Sequence, residues 1–97
     1  MKKVFLQYWE ESERGWGVRP DGCSLHEYKE QHKKYIDSIY KKRELDTEVP
    51  YEYDRPIGDI IEVLIKDDLY SSIENGSLRL MEHEMNNLLK LEEIVIL

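Results

Sequence analysis

The segment GWGVRPDGCSLHEY, residues 15 to 28, concentrates residue types that could bind or transform a ligand. Trp16 offers a flat stacking surface, and Arg14 and Arg19 offer forked N–H donors that suit phosphate or carboxylate groups. The glycines between them allow the backbone to approach a ligand closely. This combination is typical of a site for an anionic aromatic ligand, such as a nucleotide.

One functional hypothesis is therefore a sponge that binds a nucleotide or cyclic-nucleotide signal. Trp16 would stack on the base, and arginines in or beside turns would hold the phosphates. The predicted ligand-binding residues are Arg14, Trp16, Arg19, Arg55 and Arg79. A structural interpretation stands beside it, in which the glycines permit a tight loop and the arginines pair with carboxylates such as Asp54 or Asp59.

Cys23 and His26 are the residues of this segment that could serve a metal or a covalent reaction. They supply two ligands, whereas zinc needs three or four, so we predict neither a metal nor another cofactor. A nucleophilic cysteine needs an adjacent base, and His26, three residues further along a strand, points to the opposite face. Cys23 is therefore predicted to be an inert, small hydrophobic residue.

Pro20-Asp21 followed by Glu27-Tyr28-Lys29 resembles the PD-(D/E)xK nuclease signature. In those nucleases an acid pair holds Mg²⁺ and a lysine assists the attacking water. The short gap between the two halves leaves little room for the strand that carries the second half, and turn chemistry also explains Pro-Asp-Gly. A metal-dependent nuclease is the second alternative to a non-enzymatic function.

A second candidate site lies in the tyrosine-containing loop PYEYDRP, residues 50 to 56. Rigid aromatic area combined with charge is common at protein interfaces. The predicted partner-binding residues are Glu48, Tyr51, Glu52, Tyr53 and Asp54. Alternatively, the tyrosines pin this loop onto a sheet.

Charge is unevenly distributed along the chain. Residues 44–70 hold nine acidic residues against two basic ones, which equals the whole net charge of -7, whereas residues 27–43 are net positive. An acidic surface attracts a basic protein groove and disfavours direct DNA binding. The alternative is that the charge serves solubility.

The size and the cysteine content restrict the kind of protein. A chain of 97 residues is expected to form one domain, residues 1–97, with a modest core that a homodimer or higher oligomer would enlarge. It has no apolar run long enough to span a membrane, and its single cysteine suits a reducing cytoplasm.

The elements that must position these residues follow from periodicity and turn residues. Alternation predicts a strand over residues 3–10, a turn at 19–22 and a second strand over 23–26. An apolar stripe predicts a helix that ends near Arg43; its inward residues are Tyr28, His32, Tyr35, Ile36, Ile39 and Tyr40. Residues 44–58 are predicted as a loop, 59–66 and 77–80 as strands, 82–90 as a helix, and 94–97 as a strand or as an apolar tail buried against a partner. Asp67 or Asp68 is predicted to cap a short helix that carries Leu69, Tyr70 and Ile73 and ends at Asn75-Gly76. The predicted fold is α+β, a mostly antiparallel sheet of three to five strands with two or three helices.

The opening WEESERGWGVRPDG, together with the short acidic chain, resembles the small proteins that bacteriophages and other mobile elements encode. The resemblance implies a protein that acts by binding, often to neutralise host defence, in the host cytoplasm; it assigns no functional residues. Our leading hypothesis is a non-enzymatic inhibitor that binds a host protein, such as a basic nucleic-acid-binding one, through the acidic, tyrosine-containing loop.

Overall fold

The computed structural model describes residues 1–13, 15, 17–45 and 52–97, with the backbone alone at residues 44, 45, 52 and 53. In these residues, five antiparallel strands form one sheet and three helices accompany it. The elements in chain order are β1 (Lys2–Glu13), β2 (Gly17–His26), α1 (Lys29–Leu45), β3 (Glu52–Ile65), α2 (Asp67–Ser71), β4 (Ser77–Leu80), α3 (Glu82–Lys90) and β5 (Ile94–Ile96). The predicted α+β class is confirmed.

β1 is the central strand, because the strand order is β4-β2-β1-β3-β5. Its side chains alternate regularly between the two sides of the sheet, whereas both neighbours are irregular. β2 places two residues opposite Trp9, and β3 places three residues opposite Gln7. These bulges bend β2 and β3 around β1.

The sheet has five strands at one end and three at the other. β4 pairs with β2 over residues 23–26, and β5 pairs with β3 over residues 63–65. Beyond these points β1, β2 and β3 continue together as a three-stranded segment of residues 8–13, 17–22 and 52–57, which we call the ribbon.

One side of the sheet carries the apolar core, onto which α2 and α3 pack. The buried residues of this core are Val4, Leu6, Cys23, Leu25, Val63, Ile65, Leu80, Met85 and Ile94. Cys23 is fully buried in it, and burial raises the pKa of its thiol to about 12. The prediction that Cys23 is an inert core residue agrees with this environment.

The other side of the sheet is polar where α1 covers it. Gln7, Ser24 and His26 are buried there beside Trp9. From α1, Tyr35 makes an edge contact with the ring of Trp9 and a tilted contact with the ring of His26. Polar residues therefore take the place of an apolar interface between α1 and the sheet.

The turn predicted at residues 19–22 is wrong, because these residues continue β2. The chain reverses instead between Glu13 and Gly17, which pair with each other. Pro20 is tolerated because β2 is an edge strand over the ribbon.

Gly22 is required in β2 by a close approach of two strands. It has φ +75°, and a Cβ at this position would lie 1.9 Å from the carbonyl oxygen of Leu80. A side chain on Gly22 would therefore separate β4 from β2.

The loop predicted over residues 44–58 is wrong at both ends. α1 continues to Leu45, and β3 begins at Glu52, so that Pro56 lies inside β3 opposite Trp9. Pairing with β1 outweighs the proline here, because no strand among the described residues pairs with the other edge of β3 along the ribbon. Residues 46–51 lie outside the described residues.

The inward stripe predicted for α1 is partly wrong. His32 and Tyr35 face the sheet, but Tyr28 and Tyr40 are exposed. Tyr28 precedes the first turn of α1, and the guanidinium of Arg43 lies over the ring of Tyr40 on the helix surface.

Candidate partner-binding site

Six charged side chains from four strands form one group on the ribbon, which we call the acidic cluster. Its members are Glu11 and Glu13 from β1, Arg19 and Asp21 from β2, Asp54 from β3 and Arg79 from β4. Four carboxylates share two guanidinium groups, so the cluster has a negative net charge.

Strand register brings the first half of the cluster together. Glu11 lies directly opposite Arg19 in β2 and opposite Asp54 in β3. Glu13 lies two residues further along β1 and therefore on the same face. Arg19 Nη2 is 2.8 Å from Glu11 Oε2 and 3.4 Å from Glu13 Oε1.

Arg79 joins the second half of the cluster to the interior. Its Nη2 lies 3.0 Å from Asp21 Oδ2 and 3.4 Å from Asp54 Oδ2, and it donates a hydrogen bond of 2.8 Å to the Asp21 carbonyl oxygen. Its guanidinium carbon is 4.7 Å from the ring centre of Trp9, within the range of a cation–π contact. A buried aromatic ring therefore supports the base of the cluster.

The carboxyl groups of Asp54 and Asp21 interact directly. Burial and the hydrogen bond with Asp21 raise the pKa of Asp54 to about 6, and the negative charges of Asp21 and Glu11 add to the effect, while Arg79 opposes it. Asp54 therefore keeps its proton to a higher pH than an ordinary aspartic acid does.

Behind the cluster, a chain of hydrogen bonds runs beneath α1. Trp9 Nε1 donates to Ser24 Oγ at 2.8 Å, Ser24 Oγ lies 2.7 Å from His26 Nε2, and His26 Nδ1 lies 2.7 Å from Ser77 Oγ. Ser24 accepts from Trp9, so its own hydroxyl hydrogen is best used by donating to His26. We assign His26 as neutral with its proton on Nδ1, donating to Ser77.

A second chain of hydrogen bonds connects α1 to the bulge of β3. Gln7 Nε2 donates to the carbonyl oxygens of Ile57 and Gly58, at 2.9 and 3.1 Å. This fixes its amide oxygen toward His32 Nε2, 2.9 Å away, which must therefore carry a hydrogen. Burial lowers the pKa of His32, and burial together with the charge of nearby His32 lowers that of His26 to about 4. The imidazoles of His26 and His32 are therefore structural, because their hydrogen bonds satisfy buried polar atoms and hold α1 to the sheet.

The predicted partner-binding residues are only partly described by the structure. Asp54 belongs to the acidic cluster, and the backbone of Glu52 and Tyr53 lies in β3, opposite Glu13 and Ser12. Glu48 and Tyr51 lie outside the described residues. Glu11 and Glu13 were not among the predicted site residues, although their alternation on a strand could have indicated a shared face.

The predicted ligand-binding arginines all have carboxylate partners where they are described. Arg19 pairs with Glu11, and Arg79 pairs with Asp21. Arg55 pairs with Glu10 rather than with Asp54 or Asp59. These pairs favour the structural interpretation of the arginines. Arg14 and Trp16 lie outside the described residues, so the nucleotide sponge stays a prediction.

The nuclease signature is not assembled in one place. Asp21 is engaged by Arg79, whereas Glu27 lies near Tyr70 of α2, which packs against the apolar core. Cys23 and His26 point to opposite sides of the sheet, as predicted from their spacing. Across the part of the chain that the structure describes, no group of three or more His, Cys, Asp or Glu side chains could hold a metal ion.

Comparison with protein-family models, curated proteins and solved structures finds no match of any of the three kinds. None of the described helices is long and apolar enough to cross a membrane.

Proposed function

We propose that this protein acts by binding, and that its acidic cluster attracts a basic surface of another protein. The observation that carries the proposal is that four carboxylates of three strands converge on two guanidinium groups. The excess negative charge lies on a pre-formed sheet, so binding requires little ordering of side chains. The resemblance to phage-encoded proteins makes a host defence or nucleic-acid-binding protein the expected class of partner.

Partial exposure of the cluster supports this function. The side chain of Glu13 is 26% exposed and that of Asp54 is 37% exposed, so cations of a partner can reach both. Arginine or lysine side chains of that partner would compete with Arg19 and Arg79 for the same carboxylates. Such attraction weakens with salt, because the Debye length shortens from about 30 Å at 0.01 M to about 10 Å at 0.1 M.

The test uses an arginine-rich peptide as a defined basic probe, with binding followed by fluorescence anisotropy across a salt series. The variant Glu13→Lys/Asp54→Lys should bind the probe about tenfold more weakly at low salt, because each reversal replaces an attraction of about 0.5–1 kcal/mol by a repulsion. The control Asp59→Lys/Asp68→Lys changes the net charge equally at exposed acids outside the cluster, and it should bind nearly as well as the wild type.

The same three proteins are then used as baits in a bacterial lysate, with mass spectrometry of the captured proteins. A partner should be captured by the wild type and by the control, but not by the cluster variant. Equal loss of probe binding in both variants would mean that net charge alone is responsible, and the proposal would fail.

A further inference from the structure

The ribbon has a second face, formed by side chains that point away from the acidic cluster. β1 alternates regularly, so Tyr8, Glu10 and Ser12 share this face. Residues directly opposite them in the neighbouring strands lie on the same face. These are Ile57 opposite Tyr8, Pro20 and Arg55 opposite Glu10, and Val18 opposite Ser12.

This apolar ribbon face exposes large hydrophobic residues. Val18 is 54% exposed and Ile57 is 37% exposed, and Pro20 is exposed between them. The half-buried Tyr8 joins the face to the apolar core, against which it packs. Exposed apolar residues that cluster on one face mark an interaction surface more often than isolated ones do.

The charges on the apolar ribbon face cancel. Glu10 and Arg55 form an ion pair at its centre, so the face is neutral although the chain carries a net charge of -7. Two copies that met through their acidic clusters would bring like charges together. A neutral face lets the same surface meet itself, as a two-fold symmetric dimer requires.

The edges of the ribbon are poorly suited to pairing with another strand. Pro20 in β2 and Pro56 in β3 lack an N–H donor, and Glu82 Oε2 already accepts a hydrogen bond from the Gly22 N–H at 2.7 Å. These features oppose edge-to-edge association. Contact through the face avoids them.

We propose that two copies of this chain pack through their apolar ribbon faces to form a dimer, with Val18, Pro20 and Ile57 of each copy buried around the Glu10–Arg55 pairs. Two sheets packed in this way would form a small sandwich with a spacing of about 10 Å. The dimer would bury apolar area that the modest core of one chain leaves exposed.

Sedimentation equilibrium over a wide range of protein concentration tests the proposal. The wild type should sediment at twice the chain mass of 11.7 kDa. Ile57→Glu and Val18→Glu should each raise the dissociation constant at least about tenfold, because each buries an unpaired charge in the interface. Tyr28→Glu, in front of α1 at a site about as exposed as Val18, is the matched control and should leave the dimer intact.

Charge reversal within the ion pair gives a second test that a folding defect would not mimic. Arg55→Glu should dissociate the dimer, because four carboxylates would then meet at its centre. The double variant Glu10→Arg/Arg55→Glu restores neutrality and should restore the dimer. Circular dichroism of each variant at low concentration checks that the monomer is folded.

A wild type that stays monomeric at all concentrations would overturn the proposal. If that monomer captures another protein which Ile57→Glu loses, the face belongs to a different partner, and the proposal is equally wrong. The acidic cluster variant Glu13→Lys/Asp54→Lys should still dimerise, so failure of the proposed function and failure of the dimer are separate results.

Discussion

At the scale of single residues, the interaction between Asp54 and Asp21 has the clearest consequence for stability. The pKa of Asp54 is raised to about 6 from 3.8, so the folded state holds the proton more tightly than the unfolded chain does. The resulting stabilisation is complete below pH 3.8 and is lost as the pH rises through about 6. Above that pH, the charged Asp54 lies beside Asp21, and Arg79 contacts both side chains.

Asp54→Asn should therefore stabilise the protein at pH 7 and leave it unchanged near pH 4. The asparagine amide can donate to Asp21 as the protonated carboxyl does. We expect a gain of about 1 kcal/mol at pH 7, after allowing for solvent screening of a half-exposed group. Urea unfolding at several pH values measures the difference between variant and wild type.

The exposed Asp59 in the same strand provides the control for this prediction. Asp59→Asn should show no comparable pH-dependent difference. If Asp54→Asn is no more stable than the wild type at pH 7, the charge on Asp54 does not limit stability.

The sequence could indicate only part of this site. It predicted Asp54 as a site residue, because aromatic and acidic residues are concentrated around it. It could not supply the contacts with Asp21 and Arg79, since these arise from pairing between strands that are distant in the chain. The prediction of internally paired arginines was right in kind, but the partner of Arg55 lies 45 residues away.

At the scale of elements, the side chains of β1 alternate without interruption, whereas β2 and β3 contain bulges where they pair with it. Segments with clear periodicity, such as α3 and β4, were predicted at their observed positions. Errors fell where proline and glycine suggested loops, at residues 19–22 and 44–58. In both places cross-strand pairing with β1 extends a strand through residues whose local preference is for a turn.

Gly22 and Gly58 allow the stability cost of a close contact between strands to be measured separately from the cost of backbone strain. Both have positive φ, but only a Cβ on Gly22 would meet other atoms, namely the Leu80 carbonyl. Gly58→Ala should cost about 1–2 kcal/mol from its left-handed backbone alone. Gly22→Ala should cost about 3 kcal/mol or more, because β4 must also move.

Thermal and urea unfolding of the two glycine variants measure these costs. Equal destabilisation would show that the contact between Gly22 and Leu80 is easily relieved. It would also remove the explanation for a glycine inside β2.

At the scale of the whole molecule, the two sides of the sheet are held by different forces. Apolar burial attaches α2 and α3, whereas hydrogen bonds and ring contacts attach α1. His26 and His32 lie in that second layer, with ring centres 5.1 Å apart. Protonation of both would place two positive charges between α1 and the sheet.

α1 should therefore open before the rest of the protein as the pH falls. Burial lowers the pKa of His26 from 6.5 to about 4, so stability is complete above pH 6.5 and declines as the pH falls toward 4, by up to roughly 3 kcal/mol. Hydrogen exchange, normalised to unstructured peptides at each pH, should show that the amides of α1 lose protection while those of β1 keep it.

His26→Gln serves as the comparison, since it can form hydrogen bonds but does not titrate. It should abolish most of this pH dependence in α1. Simultaneous loss of protection in α1 and β1 would mean that the two sides unfold as one unit.

Because Cys23 is buried, the reactivity of its thiol can report complete unfolding of the protein. The chain has a single cysteine, and its thiol is enclosed by the apolar core with a pKa of about 12. A thiol-specific reagent can modify it only when β1, β2 and α3 separate, and detachment of α1 on the opposite side leaves it protected. The labelling rate thus counts global unfolding events without any engineered probe.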